Sequence, residues 1–158
     1  MKLFRTIFMA MVAIISLTTT TSCSDNDDKD TPAIPAAKNI EGSYTGDMDC
    51  SVMGNVSTFA DVTFGITATD DATVSITLPP FGEAPMAMPS ITVDGVKVTE
   101  EDGIATLAST QITGETTDGK SYTVTLSGSV ADNTLDIRFN LQFGAMPMPM
   151  ICSSTAVK

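Results

Sequence analysis

Beyond roughly its first forty residues, the chain alternates apolar and polar side chains with a period of two. Tyr122, Val124, Leu126 and Val130 alternate with Ser121, Thr123, Thr125, Ser127 and Ser129. Leu135, Ile137, Phe139, Leu141 and Phe143 alternate with Asp136, Arg138, Asn140 and Gln142. Val62, Phe64, Ile66 and Ala68 alternate with Asp61, Thr63, Gly65 and Thr67. Successive side chains of a strand point to opposite faces, so this pattern predicts strands with one buried and one wet face. No stretch beyond residue 22 carries a helical period.

Turn signals punctuate the alternation at Gly54-Asn55, Asp70-Asp71, Glu101-Asp102-Gly103, Asp118-Gly119 and Asp132-Asn133. Such pairs between alternating runs close hairpins. They divide the chain into about eight strands, near 40–52, 56–69, 73–78, 90–98, 104–113, 121–130, 134–143 and 149–157. At Asp94-Gly95 the alternation changes phase, which predicts a glycine bulge within one strand rather than a tiny hairpin. Consecutive strands joined by short turns form a meander, and closing it buries every apolar face and leaves no free edge. The expected fold is therefore all-β: a single antiparallel up-and-down meander barrel of about eight strands. Its outward set includes Asp61, Lys97, Asp136 and Arg138. A membrane-spanning barrel would need an apolar exterior instead.

The first residues predict the compartment. Lys2 and Arg5 precede an apolar run from Thr6 to Leu17, shorter than the ~20 residues of a spanning helix and shaped like a secretory signal. Thr20-Thr21-Ser22-Cys23 resembles a bacterial lipobox, with Thr20 where a leucine is usual. Ser24-Asp25-Asn26-Asp27-Asp28 is similar to the acidic signal of surface-exposed Bacteroidetes lipoproteins. The resemblance implies a lipoprotein signal peptide over residues 1–22, a lipid on Cys23, and an outer-membrane location facing the cell exterior. The plainer alternative is an ordinary signal peptide followed by a solvated acidic tail. Several acyl chains on Cys23 would exceed the two-anchor threshold for stable attachment. Residues 23–37 combine acid, Pro and Ala without periodicity and predict a surface tether. Residues 38–158 have the size of one domain.

That domain resembles the calycin-like β-barrel lipoproteins of Bacteroidetes. The likeness rests on Ile40-Glu41-Gly42-Ser43-Tyr44-Thr45-Gly46 and on two related phrases, FGEAPMAMP at Phe81–Pro89 and FGAMPMPM at Phe143–Met150. Lipocalins and avidins carry Gly-x-Trp in their first strand. Gly42-Ser43-Tyr44 stands at that place here and the chain has no Trp, so lipocalin ligand chemistry does not carry over.

Charge and composition narrow the function. The net charge is −11, and losing Lys2 and Arg5 but no acid with the signal takes it to −13. Lys and Arg are scattered singly, so nucleic acid is not an expected partner. The chain has no His, which removes the usual base for a Ser or Cys nucleophile. Asp47 with Asp49, Asp70 with Asp71, and Glu100-Glu101-Asp102 fall on a polar strand face or in turns, where solvated carboxylates are the ordinary outcome. No EF-hand spacing or phosphate-cradling glycine loop is present. The expectation is a protein that is not an enzyme and has no cofactor or bound metal.

Cys50 and Cys152 fall near the end of the first strand and within the last, which neighbour each other in a closed meander. They can oppose each other as a disulfide, or remain two buried thiols acting as small apolar residues. Seven methionines lie beyond the signal, five of them in or beside the two Met–Pro phrases. Alternating Met suits an apolar face or an irregular core gap, and Pro suits strand ends. The leading expectation is a small apolar ligand held in the barrel by Tyr44, Phe81, Met86, Met88, Phe143, Met146 and Met148. The alternative is a barrel plugged by its own side chains and serving as an interaction module. A third reading gathers the thioethers around Cu(I).

Overall fold

A computed structural model describes residues 34–84 and 87–158. The expected signal segment, Cys23, most of the expected tether, and Met86 lie outside the described residues. The alternating runs form β1 (Gly42–Val52), β2 (Asn55–Asp70), β3 (Thr73–Leu78), β4 (Ile91–Glu101), β5 (Ile104–Glu115), β6 (Ser121–Ala131), β7 (Thr134–Phe143) and β8 (Met150–Val157). Each strand pairs antiparallel with the next, and β8 returns to β1, closing an up-and-down barrel. The expected fold is the observed one.

The parity of the sequence becomes the inside and outside of this wall. In β7, Leu135, Ile137, Phe139, Leu141 and Phe143 are buried while Asp136, Arg138 and Asn140 are exposed. Tyr44, Met48, Phe64, Ile66, Ile76, Leu107, Leu126 and Phe139 are buried almost completely and belong to one apolar core. Each such side chain contributes about 1.5–3 kcal/mol when fully withdrawn from water.

Where the parity slips, a bulge absorbs it. Val93 and Val96 both point inward, and Gly95 takes φ +75° between them in an unbroken β4. The register against β3 shifts there, between Val74 and Ile76. This is the glycine bulge, not the hairpin. A second slip lies in β2, where Met48 pairs with Phe59 but Gly46 pairs with Val62. Asp61 sits in that bulge at φ +54°, and its N–H donates to Asp47 Oδ1 at 3.2 Å.

The two ends of the barrel differ. At one, the short helix α1 (Ala36–Asn39) lies with the β2–β3, β4–β5 and β6–β7 turns, and buries Ala37 and Ile40. The helix has the 2.9 Å bond from Lys38 N–H to the Pro35 carbonyl as its first turn. The Tyr44 hydroxyl donates to the Ile40 carbonyl at 2.7 Å, fixing this plug to the first strand. At the other end lie the β1–β2 turn, the segment 79–90, the β5–β6 turn and the segment 144–149. The described residues of both Met–Pro phrases therefore stand at the same end.

Candidate functional site

At the loop end, the segment after β3 doubles back on itself. Phe81 and Met88 exchange backbone hydrogen bonds at 3.2 and 2.8 Å, and both side chains are buried. The Phe81 ring lies 5.2 Å from that of Phe59 at a tilt of 57°, within the favoured range for aromatic pairs. Phe143 and Met150 are buried in the same core, and Met146 is half-buried against it. Lys120 Nζ lies 5.6 Å from the Phe143 ring centroid. Gln142 donates to the Met146 carbonyl, which folds the second phrase over its strand end.

Of the residues expected to bind an apolar ligand, the structure thus brings Phe81, Met88, Phe143 and Met146 to one end. Met148 belongs to that end too but is 48% exposed. Tyr44 does not join them. It sits beside the helix plug, fully buried, with its hydroxyl already bonded and its pKa raised by desolvation. Cys50 and Cys152 are direct partners across β1 and β8, with Cα atoms 4.1 Å apart and sulfurs joined as a disulfide inside the barrel. Among the described residues, no three of His, Cys, Asp or Glu gather as a metal site.

A separate concavity lies on the outside of the barrel. An open groove of about 720 Å³ crosses the outer faces of β6, β7, β8 and β1. Strand register lays its residues out as a grid. Ser127, Arg138, Ser153 and Asp49 form one row across the four strands, and Ser129, Asp136, Thr155 and Asp47 form the next. Asp49 Oδ1 accepts from Thr58 at 2.6 Å and Asp136 Oδ1 accepts from Thr155 at 2.6 Å. With the bond from Asp61 to Asp47, each of the three carboxylates is oriented through one oxygen. A smaller recess of about 190 Å³ opens beside α1 at Asn39, Glu100 and Asn133.

Sequence parity had already put Asp47, Asp49, Asp136 and Arg138 on wet faces. Their convergence depends on β8 lying between β7 and β1 in a particular register, which no local pattern states. The one available signal was closure itself, since a closed meander must bring the first strand beside the last.

The family model described as a calycin-like beta-barrel domain matches residues 40–152. A crystal structure of a Bacteroides fragilis protein, provisionally named an outer membrane protein, superposes with a TM-score of 0.67 at 27% identity. The match covers 79% of this chain and 53% of that one, so this chain spans about half the length of that protein. A search of curated protein sequences gives no significant match.

Proposed function

Because the chain belongs to the family of calycin-like β-barrel domains, we propose that it is a non-catalytic interaction module of the outer membrane surface, working through the outside of a plugged barrel. The observation that carries this reading is the filling of the interior. Eight-stranded barrels are just wide enough either to be filled by side chains or to hold one small ligand. Here Tyr44, Met48, Phe64, Ile66, Phe139 and Leu141 occupy that space through the middle and helix end of the barrel with under about 2% exposure, while an open groove crosses the outer wall.

Membrane attachment through Cys23 is part of the proposal. It is supported by Thr20–Cys23 and the acidic run after it, and by the name carried by the Bacteroides fragilis protein. Cys23→Ala should move the chain from the membrane to the soluble fraction. A second reading, an apolar ligand beneath the Met–Pro segments, is favoured by the gathering of Phe81, Met88, Phe143 and Met146 at one end.

Native mass spectrometry of the full chain from its own host separates the two readings. The plugged barrel predicts the mass of the lipidated polypeptide alone. A reproducible added mass, lost when Met88 and Met146 become polar, would establish a carrier and overturn the proposal. An added ~63–65 Da would do the same in favour of copper.

A further inference from the structure

The outer wall carries apolar side chains that the fold does not require. Val56 is 64% exposed and Ile151 is 57% exposed, both at outward strand positions close to the loop end. They flank Ser51, which pairs with Val56 on one side and with Ile151 on the other. Two branched side chains with a small one between them make a notch spanning two strand spacings, roughly 9–10 Å. Met148, three residues ahead of Ile151 at the same end, is 48% exposed as well.

Met53 lies at the hairpin tip and is 73% exposed. It also takes φ +52°, followed by Gly54 at φ +84°. A two-residue hairpin turn with both φ values positive is the natural place for Asn-Gly, because Asn tolerates the left-handed region and an apolar side chain does not. A methionine held there against backbone preference, and pointed at water, suits contact better than folding.

The notch is continuous with the groove. Along each strand the next outward residue lies about 7 Å further on, so Val56 leads to Thr58, Ser51 to Asp49, Ile151 to Ser153, and Asn140 to Arg138. The groove holds Asp47, Asp49 and Asp136 against Arg138, a net charge of −2 from three acids and one base. Two copies pairing through this wall would bring like carboxylates together, and an anionic lipid surface would meet the same repulsion. A cationic segment would find complementary charge.

We propose that this wall docks a polypeptide segment with aliphatic side chains beside lysine or arginine. The aliphatic groups fill the notch of Val56, Ser51 and Ile151 under Met53, and the cationic groups lie along Asp49, Asp47 and Asp136. Arg138 donates to carbonyl oxygens of the same segment. Because the barrel is closed, docking is by side chains and not by strand addition. The proposal rests on the interaction-module reading above and names its partner's chemistry.

The test is fluorescence anisotropy of the full chain with a labelled peptide of central leucines flanked by lysines, and with its glutamate-flanked counterpart. The lysine peptide should bind, more weakly as salt rises, and the glutamate peptide should not. Val56→Thr with Ile151→Thr should weaken binding by about tenfold, as expected for anchors at the centre of an interface. Asp49→Asn with Asp136→Asn should weaken it by a smaller factor and flatten its salt dependence. Met53→Asn should raise the melting temperature while weakening binding, a combination that misfolding cannot produce. Equal binding of both peptides, undiminished binding by the threonine variant, or no binding at all would overturn the proposal. So would concentration-dependent self-association through this wall, or preferential retention on anionic vesicles. If the peptide fails while the native mass stays bare, this partner is wrong and the plugged-barrel reading stands. A bound small molecule would remove the reading beneath it.

Discussion

Two walls of the same barrel answer the same structural requirement in different ways. On the β3–β4 wall near the loop end, the outward partners are Thr77 and Thr92, whose hydroxyls approach to 3.4 Å. At comparable positions on β2 and β8, the chain places Val56 and Ile151, both largely in water. All four residues are β-branched and suit a strand equally well. The threonine pair shows what the fold asks of an outward position, and the valine–isoleucine pair exceeds it. The difference teaches that this exterior is not uniform: one wall is solvated surface, and the other carries exposed apolar groups beside an acidic groove.

The walls also differ in how they are held. Strands β3 and β4 are joined through one local segment, whereas β1 and β8 meet only after the whole barrel has formed. Their seam carries the disulfide, across a sequence separation of 102 residues. Cys50→Ala with Cys152→Ala should lower the unfolding free energy by up to ~4–5 kcal/mol in the chain-entropy picture, measured by urea titration. Reduction of the wild type should reproduce that loss, and a variant of unchanged midpoint would show that the seam needs no bond.

Tyr44 lies on β1, at the helix end of the same seam. Tyr44→Phe removes the donor to the buried Ile40 carbonyl and should cost about 1–2 kcal/mol in thermal or chemical melts. Burial raises the phenol pKa above its ordinary 10. The unfolded chain therefore ionises first, and stability falls as pH rises past about 10 toward the folded value. The wild type should lose stability over that alkaline window more steeply than the phenylalanine variant, and parallel curves would contradict the assignment.

The smallest effects concern the outward residues themselves. Val56→Thr and Ile151→Thr should each change stability by less than ~0.5 kcal/mol, as exposed substitutions do. The reciprocal pair, Thr77→Val with Thr92→Ile, should be equally mild and should create no binding site, because among the described residues the outward positions next to it, Ser75 and Asp94, supply one carboxylate where the groove supplies three. Binding gained by that variant would mean that apolar exposure alone suffices and that the walls do not differ in kind.

The fold was legible because parity is local. Leu135 to Phe143 states its buried face within nine residues, and Asp94-Gly95 states its bulge where the phase changes. The outer wall was legible only in part. Asp136 and Arg138 could be placed outside, but their neighbours across β8 follow from register, which accumulates over the whole barrel through bulges such as that at Asp61. Ile151 was hidden for another reason: it lies between Met150 and Cys152, both buried, in a run that reads as uniformly apolar. Tyr44 was correctly expected to point inward, but parity gives a side and not a height along the axis, and it lies at the helix end.

The claim that this protein works through its outer wall is tested most directly by photocross-linking in the living host. Benzoylphenylalanine at Asn140, exposed in the row of Ile151, is compared with the same group at Thr92 on the opposite wall. The account predicts a discrete adduct from Asn140 that disappears when Val56 and Ile151 become threonine, and none from Thr92. Equal adducts from both positions, or none from Asn140, would contradict it.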